Sequence, residues 1–167
     1  RCVDVGSVAG FPGLPIKLVF PELRMTLIEA TGKKVAFLRH MISVLGLTQI
    51  EVIHGRAEEV GHLPPHREHY DLVLARAVAP LATLLELCLP LCRLGGRLIA
   101  PKGEDAPAEA ESSEQALAIL GGRLTALKQI ALPDLPGQRY LVVVDKVAPT
   151  PERYPRRAGI PAKRPLG

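Results

Sequence analysis

A short apolar run, Val3-Asp4-Val5, breaks into the glycine-rich loop Gly6-Ser7-Val8-Ala9-Gly10-Phe11-Pro12-Gly13, and a helix-like segment resumes at Pro15. A strand that ends in glycines at a sheet edge leaves backbone N–H groups free and lets a ligand approach the main chain closely. The spacing is G-x-x-x-G, with Asp4 two positions ahead of the first glycine. It is neither the G-x-G-x-x-G of dinucleotide binders nor the G-x-x-x-x-G-K-S/T phosphate loop. The loop commits the chain to a strand-turn-helix opening; residues at fixed distances beyond it decide the ligand.

Apolar segments then alternate with helical ones. Strands are predicted at 2–5, 24–29, 50–53, 71–75, 97–100, 124–132 and 140–147. Helices are predicted at 14–20, at 33–46 and at 81–94, the last closed by Gly95-Gly96. In the second helix Val35, Leu38, Met41, Ile42 and Leu45 recur at helical spacing and Gly46 is the stop. Residues 54–70 read as a loop. The acidic, Ala- and Ser-rich segment 104–115 ends near a short helix before Gly121-Gly122, and 133–137 is the turn between the last two strands. This order predicts an α/β fold with a Rossmann-like, mostly parallel, doubly wound sheet that ends in an antiparallel hairpin. The domain is expected over 1–147. The tail 148–167 holds too many prolines for a helix and is expected to lie extended over it.

The 167 residues suffice for one domain with a real core, and 47% of them are hydrophobic. Apolar runs stop well short of the roughly 18 residues of a membrane span, so no membrane is expected. No secretory segment is visible, and the sequence starts without Met inside a strand, which predicts a missing N-terminal part. Cys2, Cys88 and Cys92 form no disulfide framework and point to a reducing cytoplasm. Cys88 and Cys92, four apart in an apolar stretch, read as core thiols facing one another. His62, His66 and His69 are interrupted by Pro64-Pro65 and read as a solvated loop, so no metal is expected. The tail carries five basic residues and one acid, which accounts for the whole formal net charge of +4. A basic end on a neutral body suits a phosphate-bearing partner or a solvated tail.

In a doubly wound sheet, ligands sit beyond the carboxyl ends of the strands where the strand order reverses. Four segments end there: Gly6–Gly10, Glu29-Ala30-Thr31, His54-Gly55-Arg56-Ala57-Glu58 and Ala75-Arg76-Ala77. An acid about twenty residues past a glycine loop can take two hydrogen bonds from ribose hydroxyls, which fixes a nucleoside but not which one. With both phosphate-binding patterns lacking, S-adenosylmethionine, which carries no phosphate, is the best fit.

At these residues the chain resembles the bacterial small-subunit rRNA methyltransferase G family, also called glucose-inhibited division protein B. The matching runs are 4–15 (DVGSVAGFPGLP), 27–38 (LIEATGKKVAFL), 55–58 (GRAE), 75–79 (ARAVA), 101–103 (PKG) and 154–161 (YPRRAGIP). The resemblance implies a class I methyltransferase fold that uses S-adenosylmethionine to methylate N7 of one guanine in 16S rRNA, free or in a small ribosomal subunit precursor. Carried over, the cofactor positions are Asp4, Gly6, Gly10 and Phe11 at the glycine loop, Glu29, Ala30 and Thr31 around the ribose, and Ala57 and Glu58 around the adenine. Arg76 stands next to the reacting end, as the residue expected to orient the base or the cofactor carboxylate. Taken singly, Phe11 is equally a core residue, Glu58 a surface partner of Arg56, and Arg76 a cation held by a carboxylate. Lys33, Lys34, Lys102, Arg139, Arg156 and Arg157 are the candidates for RNA phosphate, and Phe11 and Tyr154 for base stacking. A monomer is expected.

Two departures stand out. Val8 occupies a position where the family has glycine, and a β-branched residue is expected to avoid positive φ and to crowd the loop against the cofactor. The family carries a helical portion before the first strand, and it is expected to be missing here. Two other functions remain: an RNA-binding remnant without catalysis, and a methyltransferase for a small molecule.

Overall fold

The strand-end glycines and the apolar pattern resolve into one seven-stranded sheet in the computed structural model, which describes residues 1–76, 79–131 and 137–167. The strands are β1 (Cys2–Val5), β2 (Met25–Glu29), β3 (Ile50–His54), β4 (Tyr70–Ala75), β5 (Cys92–Lys102), β6 (Gly122–Ile130) and β7 (Arg139–Lys146), in the order β3-β2-β1-β4-β5-β7-β6. β1 pairs in parallel with both β2 and β4, so the strand order reverses beside β1. β7 runs antiparallel between β5 and β6, giving the predicted C-terminal hairpin. The turn expected at 133–137 lies mostly outside the described residues.

Alternation along the strands divides the core between the two faces of the sheet. Val3, Val5, Val73 and Ala75 pack on one side with α4 (Leu81–Cys88) and α6 (Glu114–Leu120). Cys2, Met25, Leu27 and Leu74 pack on the other against Leu14 of α1 (Gly13–Val19) and Leu38 of α2 (Gly32–Val44). No helix is long and apolar enough to cross a membrane among the described residues.

Three expectations need correction. The helix predicted at 81–94 ends at Cys88, because Pro90 interrupts it and the chain turns directly into the long strand β5, with Gly95 inside that strand. Cys88 and Cys92 therefore sit on different elements, and both are fully buried thiols. Residues 57–60 form one helical turn, α3 (Ala57–Val60), too short to leave a periodic signal. Between β5 and β6 the acidic segment forms α5 (Ala106–Ser112), followed at once by α6.

The third correction concerns the tail. It folds back into the body, ends in one turn of helix, α7 (Ile160–Lys163), and places Tyr154 in the main core cluster. The Arg67 guanidinium donates to the carbonyls of Thr150 at 2.9 Å, Pro151 at 3.2 Å and Tyr154 at 2.8 Å. His62 lies in an exposed loop, as expected, and also bonds through Nε2 to the Pro155 carbonyl at 2.6 Å. The fully buried Lys146 ammonium donates to the Leu89 carbonyl at 2.7 Å and the Glu68 carboxylate at 3.0 Å, and also to Thr150 Oγ1. Burial pushes its pKa down, and the Glu68 carboxylate opposes that.

A buried charge stripped of its partner is costly. Lys146→Ala should therefore lower stability by about 3–5 kcal/mol in urea denaturation. The double variant Lys146→Met with Glu68→Gln should recover a large part of that loss.

Candidate active site

Glu29 is the last residue of β2 and is 5% exposed, yet the ion pairs of the described residues use Asp71, Asp145, Glu109, Glu68 and Glu86 and leave Glu29 without a cation. Backbone donors stabilise it instead. Its Oε2 accepts the Val8 N–H at 3.0 Å and its Oε1 accepts the Thr31 N–H at 2.8 Å, at the positive end of the 13-residue α2. Each carboxylate oxygen keeps a lone pair for a further donor.

Beside it lies a cavity of about 190 Å³ lined by Val5 and Gly6 of the first strand end, Ile28, Glu29 and Ala30 of the second, Gly55 to Glu58 of the third, and Leu87 of α4. The structure thus brings Gly6, Glu29, Ala30, Ala57 and Glu58 to one hollow, where the strand order reverses. His54 Nε2 bonds to the Ala30 carbonyl at 3.2 Å and ties two of these strand ends together. A larger hollow of about 620 Å³ lies at the opposite edge, between Arg1, Arg24 to Thr26 and Gln49 to Glu51. It has no glycine loop and sits at the amino ends of the strands.

Phe11 of the glycine loop and Arg76 just after β4 meet beyond the carboxyl ends of the strands, the guanidinium 5.8 Å from the ring centroid; neither is among the residues that line the cavity. Phe11 is 53% exposed, so it is not a core residue. Thr31 caps the start of α2 on the surface, and Gly10 turns the loop with a φ of +89°. Arg76 is exposed beyond β4; Ala77 and Val78 of the same motif lie outside the described residues.

Asp4 does not line the cavity. It is completely buried, and its Oδ2 accepts the Gly13 N–H at 3.0 Å. A Cβ on Gly13 would stand 2.8 Å from that oxygen, so glycine there is what admits the carboxylate. Its Oδ1 finds no partner among the described residues. Burial raises the Asp4 pKa to about 6, against the lowering effect of the Gly13 N–H, Ser7 and Arg76. Its place is beneath the loop, as an anchor from β1 to the start of α1.

Val8 corrects the expectation made for it. Its φ is +46°, inside the region that a β-branched residue rarely enters, and its side chain is 43% exposed rather than turned into the cavity. The N–H bond to Glu29 holds it there, against a backbone cost of about 1–2 kcal/mol.

The cations expected at the RNA divide into two groups. Lys33 and Lys34 are exposed in the first turn of α2, where the helix dipole disfavours positive charge. Arg139 begins β7, whose antiparallel direction puts it at the same sheet edge as the cavity, and Arg157 is exposed on the tail. Lys102 pairs with Glu109 at 2.7 Å, and Arg156 pairs with the fully buried Glu86 at 2.6 Å. These last two are engaged inside the protein. Sequence reasoning missed Leu87 and Glu86; a lone acid in the apolar helix Leu81–Cys88 was the available signal that a buried cation must come from elsewhere.

The rRNA small subunit methyltransferase G family model matches residues 1–139. The chain belongs to that family. A ribosomal RNA small subunit methyltransferase G from Roseiflexus sp. (strain RS-1) is 55% identical over 164 residues, 98% of this chain and 70% of the relative. One from Lactobacillus acidophilus is 45% identical over 163 residues, 98% of this chain and 68% of the relative. Among solved structures, an rRNA methylase from Streptococcus thermophilus superposes with a TM-score of 0.63 at 19% identity, covering 88% of this chain and 86% of the other. A SAM dependent methyltransferase from Aquifex aeolicus gives 0.65 at 19% identity, covering 87% and 81%. At that identity the superpositions establish the fold: a Rossmann-like methyltransferase sheet with antiparallel C-terminal strands.

The raised Asp4 pKa fixes the sign of one pH effect. Asp4 contributes stability that is fully present below about pH 4 and is lost as pH rises through about 6. The Asp4→Asn variant should lack that decline, gaining roughly 2–3 kcal/mol on the unaltered chain between pH 4 and 7 in chemical denaturation. Parallel pH profiles for the two proteins would contradict this.

Proposed function

We propose that this chain, as a small-subunit rRNA methyltransferase, binds S-adenosylmethionine in the cavity beside Gly6 and Glu29 and directs its methyl group to N7 of a guanine in 16S rRNA. The observation that carries the reading is a buried carboxylate, Glu29, that has no cation among the described residues but keeps two acceptor sites beside a cavity of about 190 Å³ at the strand ends. Hydroxyl donors of a ribose suit those sites. Ala57 and Glu58 wall the side assigned to the adenine, and the residue after the β1 end, Gly6, lets the ligand lie against bare backbone.

When bound, S-adenosylmethionine would supply the methyl group of a sulfonium, whose S–CH3 bond breaks to leave a neutral thioether that needs no protonation. Guanine N7 carries a free lone pair in the neutral base, so the chain has no proton to remove before attack. The site agrees with that demand. Glu29 and Glu58 both accept backbone N–H bonds, from Val8, Thr31 and Gly159, which suits holding a ligand rather than shuttling a proton. The protein's contribution is then orientation, in which a fixed near-attack geometry accounts for much of the barrier reduction. Phe11 and Arg76 stand together beyond the carboxyl ends of β1 and β4, one offering a face for a flipped base and the other a planar cation for the base or the cofactor carboxylate.

Lys33, Lys34, Arg139 and Arg157 enter no ion pair among the described residues and are the cations offered to the RNA backbone. The outward Val8 side chain favours a working enzyme over an RNA-binding remnant.

The experiment is methyl transfer from labelled S-adenosylmethionine to 16S rRNA and to small subunits, with the modified atom mapped. Label at a guanine N7 is expected; label on neither substrate contradicts the reading. Glu29→Ala should weaken cofactor binding by about 1–3 kcal/mol through the lost charged acceptor. Arg76→Ala should reduce turnover more than cofactor affinity.

A further inference from the structure

The cofactor reading leaves one strong buried interaction unused. Arg156 directs its backbone N–H at 2.8 Å, Nε at 2.9 Å and Nη2 at 2.6 Å to the Glu86 carboxylate, and Nη2 also donates to the Arg164 carbonyl at 2.7 Å. Glu86 is fully buried on α4, and the next residue of that helix, Leu87, forms part of the cofactor cavity. Five residues beyond Arg156, the Pro161 carbonyl accepts from Thr83 Oγ1 at 3.0 Å, again on α4. One helix therefore clamps the tail at two points.

Between the clamps sits Gly159. Its N–H donates to Glu58 Oε1 at 3.1 Å, across 101 positions of sequence. Its φ is +82°, while a Cβ there would meet nothing within 4 Å, so glycine serves the backbone direction and not the space. Glu58 belongs to both the cofactor cavity and the adjoining hollow of about 580 Å³ between α3 and the tail. On a one-turn helix beside Glu59, a glutamate without that N–H would turn to solvent. With it, one oxygen is fixed and the other remains free to accept.

We propose that Arg156 is a positioning residue for the cofactor: by clamping the tail to α4 it holds Gly159 against Glu58 and so sets the carboxylate in the adenine side of the pocket. The inference rests on the cofactor reading above. A pair that merely held the tail would affect melting and leave the affinity for the adenosyl group to the pocket alone. A pair that acts through Glu58 makes that affinity depend on both.

The test is a calorimetric titration of the intact chain with S-adenosylmethionine, using the unaltered protein, Arg156→Lys, Glu58→Ala and the double variant. Arg156→Lys keeps the charge and loses the fork, and should weaken binding about fivefold or more. In the Glu58→Ala background the same change should have no further effect on affinity, while the melting temperature falls in both backgrounds. An unchanged affinity in Arg156→Lys, or an equal loss with and without Glu58, overturns the proposal. If Arg156→Lys does not fold, Gly159→Ala leaves the ion pair intact and has room for its Cβ, but a φ of +82° is strained for any L side chain, so the backbone shifts and turns the N–H away from Glu58; it should reproduce the loss, and unchanged affinity there overturns the proposal as well. Failure of the unaltered protein to take up S-adenosylmethionine is a different result, which removes the cofactor reading and this inference together.

Discussion

The Glu29 carboxylate joins the two halves of the site. It receives one N–H from the loop after β1 and one from the turn after β2, so both strand ends are set by a single buried anion. An uncompensated carboxylate at 5% exposure is expensive unless its lone pairs are filled. Backbone donors and the start of α2 offset that cost while leaving capacity for hydroxyl groups. The strained Val8 backbone is one consequence: its N–H must point at Glu29, and the isopropyl group is turned outward as a result.

A second set of buried charges does for the tail what Glu29 does for the loops. Lys146 with Glu68, and Arg156 with Glu86, are ion pairs with one partner wholly out of water, and both fix tail residues to the body. Such pairs contribute little net stability compared with apolar packing, but breaking one leaves a charge stranded. They specify one docked position for a proline-rich segment that has few backbone bonds of its own. The wall of the cavity beside Glu29 is continuous with that position through Glu58 and Leu87.

Most of the fold was legible because its signals are local. Six of the seven strands are legible within a few residues; the exception is β5, whose first half follows Pro90 and carries Gly95 and Gly96. Those residues imitate a helix stop, and only pairing with β4 reveals a bent strand. The tail was misjudged for the reverse reason. Its prolines do forbid a long helix, but what seats it are contacts from Arg67, Glu86 and Lys146, distant in sequence. In the site, the residues at strand ends were readable from the glycine loop and the spacing of Glu29. Asp4 was not, since the same motif position can face the ligand or the interior, and Gly13 decides for the interior. The engagement of Lys102 and Arg156 was equally hidden, because charge alone does not show whether a cation already has a partner.

Amide hydrogen exchange with and without S-adenosylmethionine tests the central claim most directly, because it reports which backbone the ligand lies against. The account requires slowed exchange at Gly6 to Gly10, at Ala30 and Thr31, and at Gly55 to Glu58, with the opposite edge of the sheet unchanged. Protection at Met25, Thr26 and Gln49 to Glu51 instead, or none anywhere, would contradict it.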